Sequence, residues 1–151
     1  MFTMRVLVLD DDPLTAFTLA RLFAIRGIQV VSVSSAEAAE RSLERERFDA
    51  FIVDAQADQA KGLRVIAQTR TKDAGISLFV LSDRRPDDPR ANSDICYIEK
   101  PWDGFFLIDL VRARATGERR AATAPVQDDR PTVQMRPIRK DRRALRDSAG
   151  H

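Results

Sequence analysis

The sequence predicts an α/β protein built on a doubly wound, five-stranded parallel sheet, and three observations predict it. Short apolar runs without polar alternation recur along the first hundred residues, as strands buried on both faces require. Stretches with helical spacing of apolar residues separate these runs. Four of the five runs end at a polar side chain capable of chemistry: Asp10, Asp54, Ser82 and Lys100. Parallel neighbours need crossover connections, and these are overwhelmingly right-handed, which leaves a sheet covered by helices on both faces.

Each element has its own signal. Arg5 to Leu9 is a buried strand that stops at three acids, Asp10 to Asp12. Pro13 follows at a position whose amide lacks a helical partner in any case, with Asp12 before it as cap, so a helix starts there. Leu14, Phe17, Leu22 and Ile25 lie at near-helical spacing along it, and Gly27 ends it. Ile28 to Val33 reads as the second strand. Ser34 with Glu37 three residues on is a capping-box pattern for a helix through Arg47. Phe48 to Val53 is the third strand, ending in Asp54. A polar loop leads to Gly62 and a helix carrying Leu63, Ile66 and Ala67 on one face, broken by Gly75. Ile76 to Leu81 is the fourth strand, Ile95 to Ile98 a shorter fifth, and Asp103 to Ala115 a last helix with Phe106, Leu107, Leu110 and Val111.

Composition narrows the function. The apolar runs, such as Val6 to Leu9 and Leu78 to Leu81, fall far short of the roughly 18 to 20 residues that a membrane-spanning helix requires. No membrane span is expected. A secretory signal is not expected either, because the first apolar run leads into acids rather than a small-residue cleavage site; the expected compartment is the cytoplasm. The single cysteine, Cys96, reads as a small buried hydrophobe, and the single histidine, His151, cannot form a cluster, so zinc sites and Ser-His or Cys-His catalysis are disfavoured.

The net charge of +2 is unevenly placed. Residues 1–115 hold 16 Lys+Arg against 18 Asp+Glu, whereas residues 116–151 hold 9 against 5. Beyond Thr116 apolar residues thin out and Pro125, Pro131 and Pro137 interrupt. The expected organisation is a domain over residues 1–116 and a basic, disordered tail over 117–151, with at most one marginal helix from Ile138 to Arg146. Arg-rich stretches of the tail could hold phosphates of a nucleic acid, but a solvated tail is the favoured reading.

In an open α/β sheet the ligand site lies outside the carboxyl ends of the strands. In a 2-1-3-4-5 strand order the first and third strands are neighbours, which brings Asp10, Asp11 and Asp54 together. Like charges at short range cannot all stay ionised without a cation. A hard divalent ion such as Mg²⁺, which takes one or two carboxylates plus waters and phosphate oxygens, suits the cluster. Lys100 faces the same pocket from the far side. A carboxylate flanked by a metal ion and an ammonium is suited to accept a phosphoryl group covalently.

These residues, as an ordered set over roughly positions 4 to 115, resemble the receiver domain of two-component response regulators, which has a flavodoxin-like, CheY-like fold. The matching parts are the acidic pair Asp10-Asp11 after an apolar strand, Asp54 after another, Gly62 eight positions later, Ser82, and Lys100-Pro101. The resemblance implies that Asp54 accepts a phosphoryl group from a histidine of a partner kinase or phosphotransfer protein. It implies that Asp10, Asp11, Asp54 and the carbonyl of Gln56 hold Mg²⁺, with Asp11 the more direct ligand. It further implies that Lys100 binds the phosphate, that Ser82 moves onto it, that Tyr97 changes rotamer with state, and that the Lys100-Pro101 bond is cis. A single-domain switch with an unnamed downstream protein partner follows. It is no enzyme beyond its own phosphorylation and dephosphorylation.

The sequence departs from the family pattern in three places. Asp83 follows Ser82, where the family carries a small residue, and a carboxylate there would crowd and repel an incoming phosphoryl group. The loop Ala55-Gln56-Ala57-Asp58 lacks the family's proline. The interval from Ser82 to Lys100 is shorter than usual and holds Pro86 and Pro89, so the fourth helix is expected to be shortened or absent. Two alternatives stand beside the switch. One is a pseudo-receiver that docks independently of phosphorylation. The other is a haloacid-dehalogenase-type phosphatase using Asp10 of the Asp10-x-Asp12 pair as nucleophile.

Overall fold

A computed structural model of the chain describes residues 4–54, 56, 59–84, 87 and 94–121. The elements run β1 (Met4–Leu9), α1 (Pro13–Ile25), β2 (Ile28–Val33), α2 (Ala36–Arg45), β3 (Ala50–Asp54), α3 (Gln59–Lys72), β4 (Ser77–Ser82), β5 (Ile95–Glu99) and α4 (Gly104–Ala121). The five strands form one parallel sheet in the order β2-β1-β3-β4-β5. The alternation read from the sequence is therefore the alternation of the fold. β1 and β3 show why: β3 is buried at every position and β1 at all but Arg5, as strands covered on both faces must be.

Two apolar layers flank the sheet. One joins Val6, Val8, Ile52, Phe79 and Leu81 to α1 and α4 through Leu19, Phe23, Leu107 and Val111. The other joins Leu7, Leu9, Phe51, Val53 and Val80 to α2 and α3 through Ala39, Val65 and Ile66. Successive strand residues feed opposite layers, as the two-residue period of a strand dictates.

Helix termini follow local chemistry. Pro13 opens α1, and the Asp12 side chain caps it by accepting hydrogen bonds from the Leu14 amide (3.1 Å) and the Thr15 hydroxyl (2.6 Å). Gly27 closes the α1–β2 turn at φ +70°, a backbone region that side chains with a Cβ rarely adopt. The cap of α2 is Ser35, whose hydroxyl accepts from the Ala38 amide at 3.2 Å. This corrects the expectation of Ser34 by one residue.

The structure also corrects several helix faces. Leu14, Phe17 and Ile25 are exposed, and α1 buries Ala16, Leu19 and Phe23 instead. On α4, Phe106 is exposed, while Leu107, Ile108, Val111 and Ala115 face the core. On α3, Ala67 is exposed and Val65 and Ile66 are buried. Gly62 does not precede α3 but lies inside it, at its close approach to β3: a Cβ there would sit 2.7 Å from Cγ1 of Val53. α4, the fourth helix in chain order, is present and runs past the expected end at Ala115 to Ala121. The expected domain boundary at residue 116 thus falls within it. Between β4 and β5 the described residues 83, 84, 87 and 94 form bends and turns; the rest of the segment expected to carry a shortened or missing helix, and the tail from 122 on, lie outside the described residues.

Candidate phosphoacceptor site

The site assembles at the carboxyl edge of the sheet because four strands end there together. Leu9 pairs with Val53, so Asp10, the residue after β1, stands beside Asp54, the last residue of β3. Asp54 pairs with Leu81 and Ser82 with Glu99, which sets Ser82 and Lys100 on the other side of Asp54. The amide of Lys100 donates to the Ser82 carbonyl at 3.0 Å, and the Lys100-Pro101 peptide is cis.

Asp54 is buried, and its carboxylate is held from two sides. Nζ of Lys100 lies 3.0 Å from each carboxylate oxygen, and the Gln56 amide donates to Oδ1 at 3.0 Å. Asp10 is buried as well. Its Oδ1 accepts the Asp12 amide at 2.8 Å, whereas its buried Oδ2 finds no hydrogen-bond partner among the described residues. Burial raises the Asp10 carboxyl above its ordinary value of 3.8, and the charges of Asp54, Asp12 and Asp11 add to the rise against the opposing Asp12 amide. Asp12 is lowered by the Thr15 hydroxyl and the Leu14 amide, which marks it as a helix cap.

The candidate residues therefore divide. Asp10, Asp54, Lys100 and Gln56 meet. Asp11 is exposed at the rim. Ser82 closes the β4 side, its hydroxyl accepting from the Arg84 amide at 3.2 Å. Tyr97 lies across from Val80 and packs, half-buried, on the α2–α3 side of the sheet. The sequence flagged Asp83 without its partner: the Gln56 side-chain amide donates to the Asp83 carboxylate. A cavity of about 560 Å³ between the C-terminal ends of α2 and α3, lined in part by Glu44, Arg47, Lys72 and Asp73, gathers none of these residues.

The donor set fits a hard divalent cation in one specific way. Among the described residues, no three His, Cys, Asp or Glu side chains are gathered to hold a metal by themselves. Mg²⁺ needs fewer, since it keeps waters and is satisfied by one or two carboxylates and phosphate oxygens. The unpartnered Oδ2 of Asp10, next to a second buried carboxylate, is the feature such an ion would satisfy.

An apolar strand ending in a lysine-held carboxylate, beside a second acid, within a 2-1-3-4-5 sheet defines a receiver-type domain. Residues 6–111 match the family model of the response regulator receiver domain, and the chain belongs to that family. Among curated proteins it is 33% identical over 135 residues to the transcriptional regulatory protein PrrA of Mycobacterium tuberculosis, covering 85% of this chain and 56% of the relative. It is 29% identical over 119 residues to the response regulator protein FleR of Pseudomonas aeruginosa, covering 76% of this chain and 25% of that one. The chain thus spans about half, or less, of the length of these relatives. Among solved structures, a CheY-like receiver domain protein from Methanospirillum hungatei shares the fold at a TM-score of 0.71 and 16% identity, over 78% of this chain and 98% of that one. Family membership sets aside the phosphatase alternative, and the geometry agrees: the lysine engages Asp54, not Asp10. No helix among the described residues is long and apolar enough to cross a membrane.

Proposed function

We propose that this chain is a phosphorylation-dependent signalling switch whose acceptor is Asp54. The observation that carries the reading is the single ammonium of Lys100 bridging both oxygens of a buried Asp54, beside an Asp10 oxygen that has no partner among the described residues. A carboxylate oxygen of Asp54 attacks phosphorus. The new P–O bond forms as the P–N bond to a donor histidine breaks, and the electron pair returns to the donor's imidazole, leaving an acyl phosphate on Asp54. Lys100 moves with the charge, from the carboxylate to the phosphoryl oxygens. Asp10, Asp11, Asp54 and the Gln56 carbonyl would hold Mg²⁺, which when bound supplies neutralisation of phosphoryl charge.

Residues 6–111 hold no histidine, so the donor histidine lies outside this domain, on a histidine kinase or phosphotransfer protein. In this reading Ser82 leaves its loop contact with the Arg84 amide for the new oxygens, and the change passes to Tyr97 on the adjacent β5. Output is contact with a downstream protein, in the cytoplasm.

Intact-protein mass spectrometry after incubation with Mg²⁺ and acetyl phosphate tests this. The expected result is one phosphoryl adduct that fails to form when Mg²⁺ is chelated from the start and is absent in Asp54→Ala. An adduct that persists in Asp54→Ala overturns the assignment. Absence of any adduct, with partner binding unchanged in Asp54→Ala, favours a pseudo-receiver that docks without phosphorylation.

A further inference from the structure

The contact between Gln56 and Asp83 joins the two loops that flank the acceptor. Gln56 follows β3 and Asp83 follows β4; these strands are neighbours, and their ends carry Asp54 and Ser82. One residue thus serves two carboxylates: the Gln56 backbone amide holds Oδ1 of Asp54, and its side-chain amide holds Asp83. Both Gln56 and Asp83 are exposed, whereas Asp54, which the Gln56 amide holds, is buried. The Ser82 hydroxyl is meanwhile occupied by the Arg84 amide in the loop that carries Asp83.

We infer that the Gln56–Asp83 bridge is a strap over the acceptor site that must open before a phosphoryl group reaches Asp54, so that Asp83 sets the rate of phosphoryl uptake. The inference rests on the reading of Asp54 as acceptor. An incoming phosphoryl donor is anionic and approaches an edge already carrying Asp10, Asp11 and Asp54. The strap keeps a further carboxylate fixed there, and a hydrogen bond to a charged acceptor is stronger than a neutral one. Asp83 is a positioning residue: it forms no bond to phosphorus, and acts by where it holds Gln56 and its own charge.

The test is the initial rate of phosphoryl uptake from acetyl phosphate at saturating Mg²⁺, read by mass spectrometry on the full chain. It compares the unmodified protein with Asp83→Ala, Asp83→Asn, Gln56→Ala and the double variant Gln56→Ala/Asp83→Ala. Truncating either partner is expected to raise the rate about three- to tenfold, and the double variant to be no faster than the faster single one, because both remove the same contact. Asp83→Asn keeps an acceptor oxygen for Gln56 and is expected to lie between the unmodified protein and Asp83→Ala.

If Gln56→Ala runs at the unmodified rate while Asp83→Ala and Asp83→Asn are equally fast, charge repulsion alone is at work and the strap is overturned. Equal rates throughout overturn it too, with the acceptor reading intact. Uptake by both Asp83→Ala and Gln56→Ala where the unmodified protein takes up none supports the strap in its strongest form. Absence of uptake in all five proteins overturns the acceptor reading, and the strap with it.

Discussion

Lys100 Nζ stands 3.0 Å from both oxygens of Asp54, so one ammonium neutralises a carboxylate whose side chain is only 9% exposed. The pair is asymmetric, because the Lys100 side chain is 23% exposed and can regain water, whereas Asp54 cannot. Removing the lysine therefore leaves the worse orphan. Lys100→Ala is expected to lower unfolding free energy in urea by about 2 kcal/mol, Asp54→Ala by less, and the double variant to recover most of the Lys100→Ala loss. A double variant as unstable as the sum of the two singles would show that the pair contributes no coupling.

Asp10 gives the pH dependence. Its carboxyl is raised by burial and by Asp54, Asp12 and Asp11, so between 3.8 and the raised value the folded chain holds more protons than the unfolded one. Stability then falls as pH rises through that window, and the cost is fully present above it. Asp10→Asn, which keeps the oxygen that accepts the Asp12 amide, is expected to stabilise the metal-free protein at neutral pH by about 1 kcal/mol. The gain should vanish as pH drops below 3.8. Thermal melts from pH 7 to 3 measure it, and the same substitution should abolish stabilisation by added Mg²⁺.

The site was more legible than the helix faces, and the residues explain the difference. A parallel strand ends where its apolar run ends, and the side chain after it lies at the ligand edge whatever surrounds it. Asp10, Asp54, Ser82 and Lys100 could thus be placed by position along the chain. The inner face of α1 could not, because nine of its thirteen residues are apolar and several stripes fit the 3.6-residue period equally well. The Gln56–Asp83 contact was out of reach for another reason: it joins loops 27 residues apart in the chain, and only the register of β3 against β4 brings them together.

Gly62 tests how tightly α3 is seated behind Asp54. A Cβ at this position meets Val53 Cγ1 at 2.7 Å, and Val53 is a stiff, β-branched, fully buried residue next to Asp54. Gly62→Ala is expected to cost about 1–3 kcal/mol through overpacking. At Gly104 the nearest atom is Cδ1 of Leu22 at 2.6 Å, the flexible end of a half-buried side chain, so Gly104→Ala should cost less. Equal losses in urea titrations would refute this account of α3 packing.

The assignment of α1's buried face carries the sharpest stability contrast. Leu19 is fully buried between α1 and the sheet, while Leu14 and Phe17 on the same helix are 72% and 63% exposed. A large-to-small change in a packed core loses transfer free energy and leaves a cavity, whereas the same change on the surface does neither. Leu19→Ala is expected to cost about 2–5 kcal/mol, Leu14→Ala about 0.5 kcal/mol or less, and Phe17→Ala about 1 kcal/mol or less. Phe17 carries one further contact, with the Arg21 guanidinium 6.0 Å from its ring centroid; at an exposed site this contributes at most about 1 kcal/mol. Denaturant unfolding of the three variants decides the matter: a loss at Leu14 comparable to that at Leu19 would mean that the helix is rotated about its axis, with the Leu14–Phe17–Ile25 stripe turned inward.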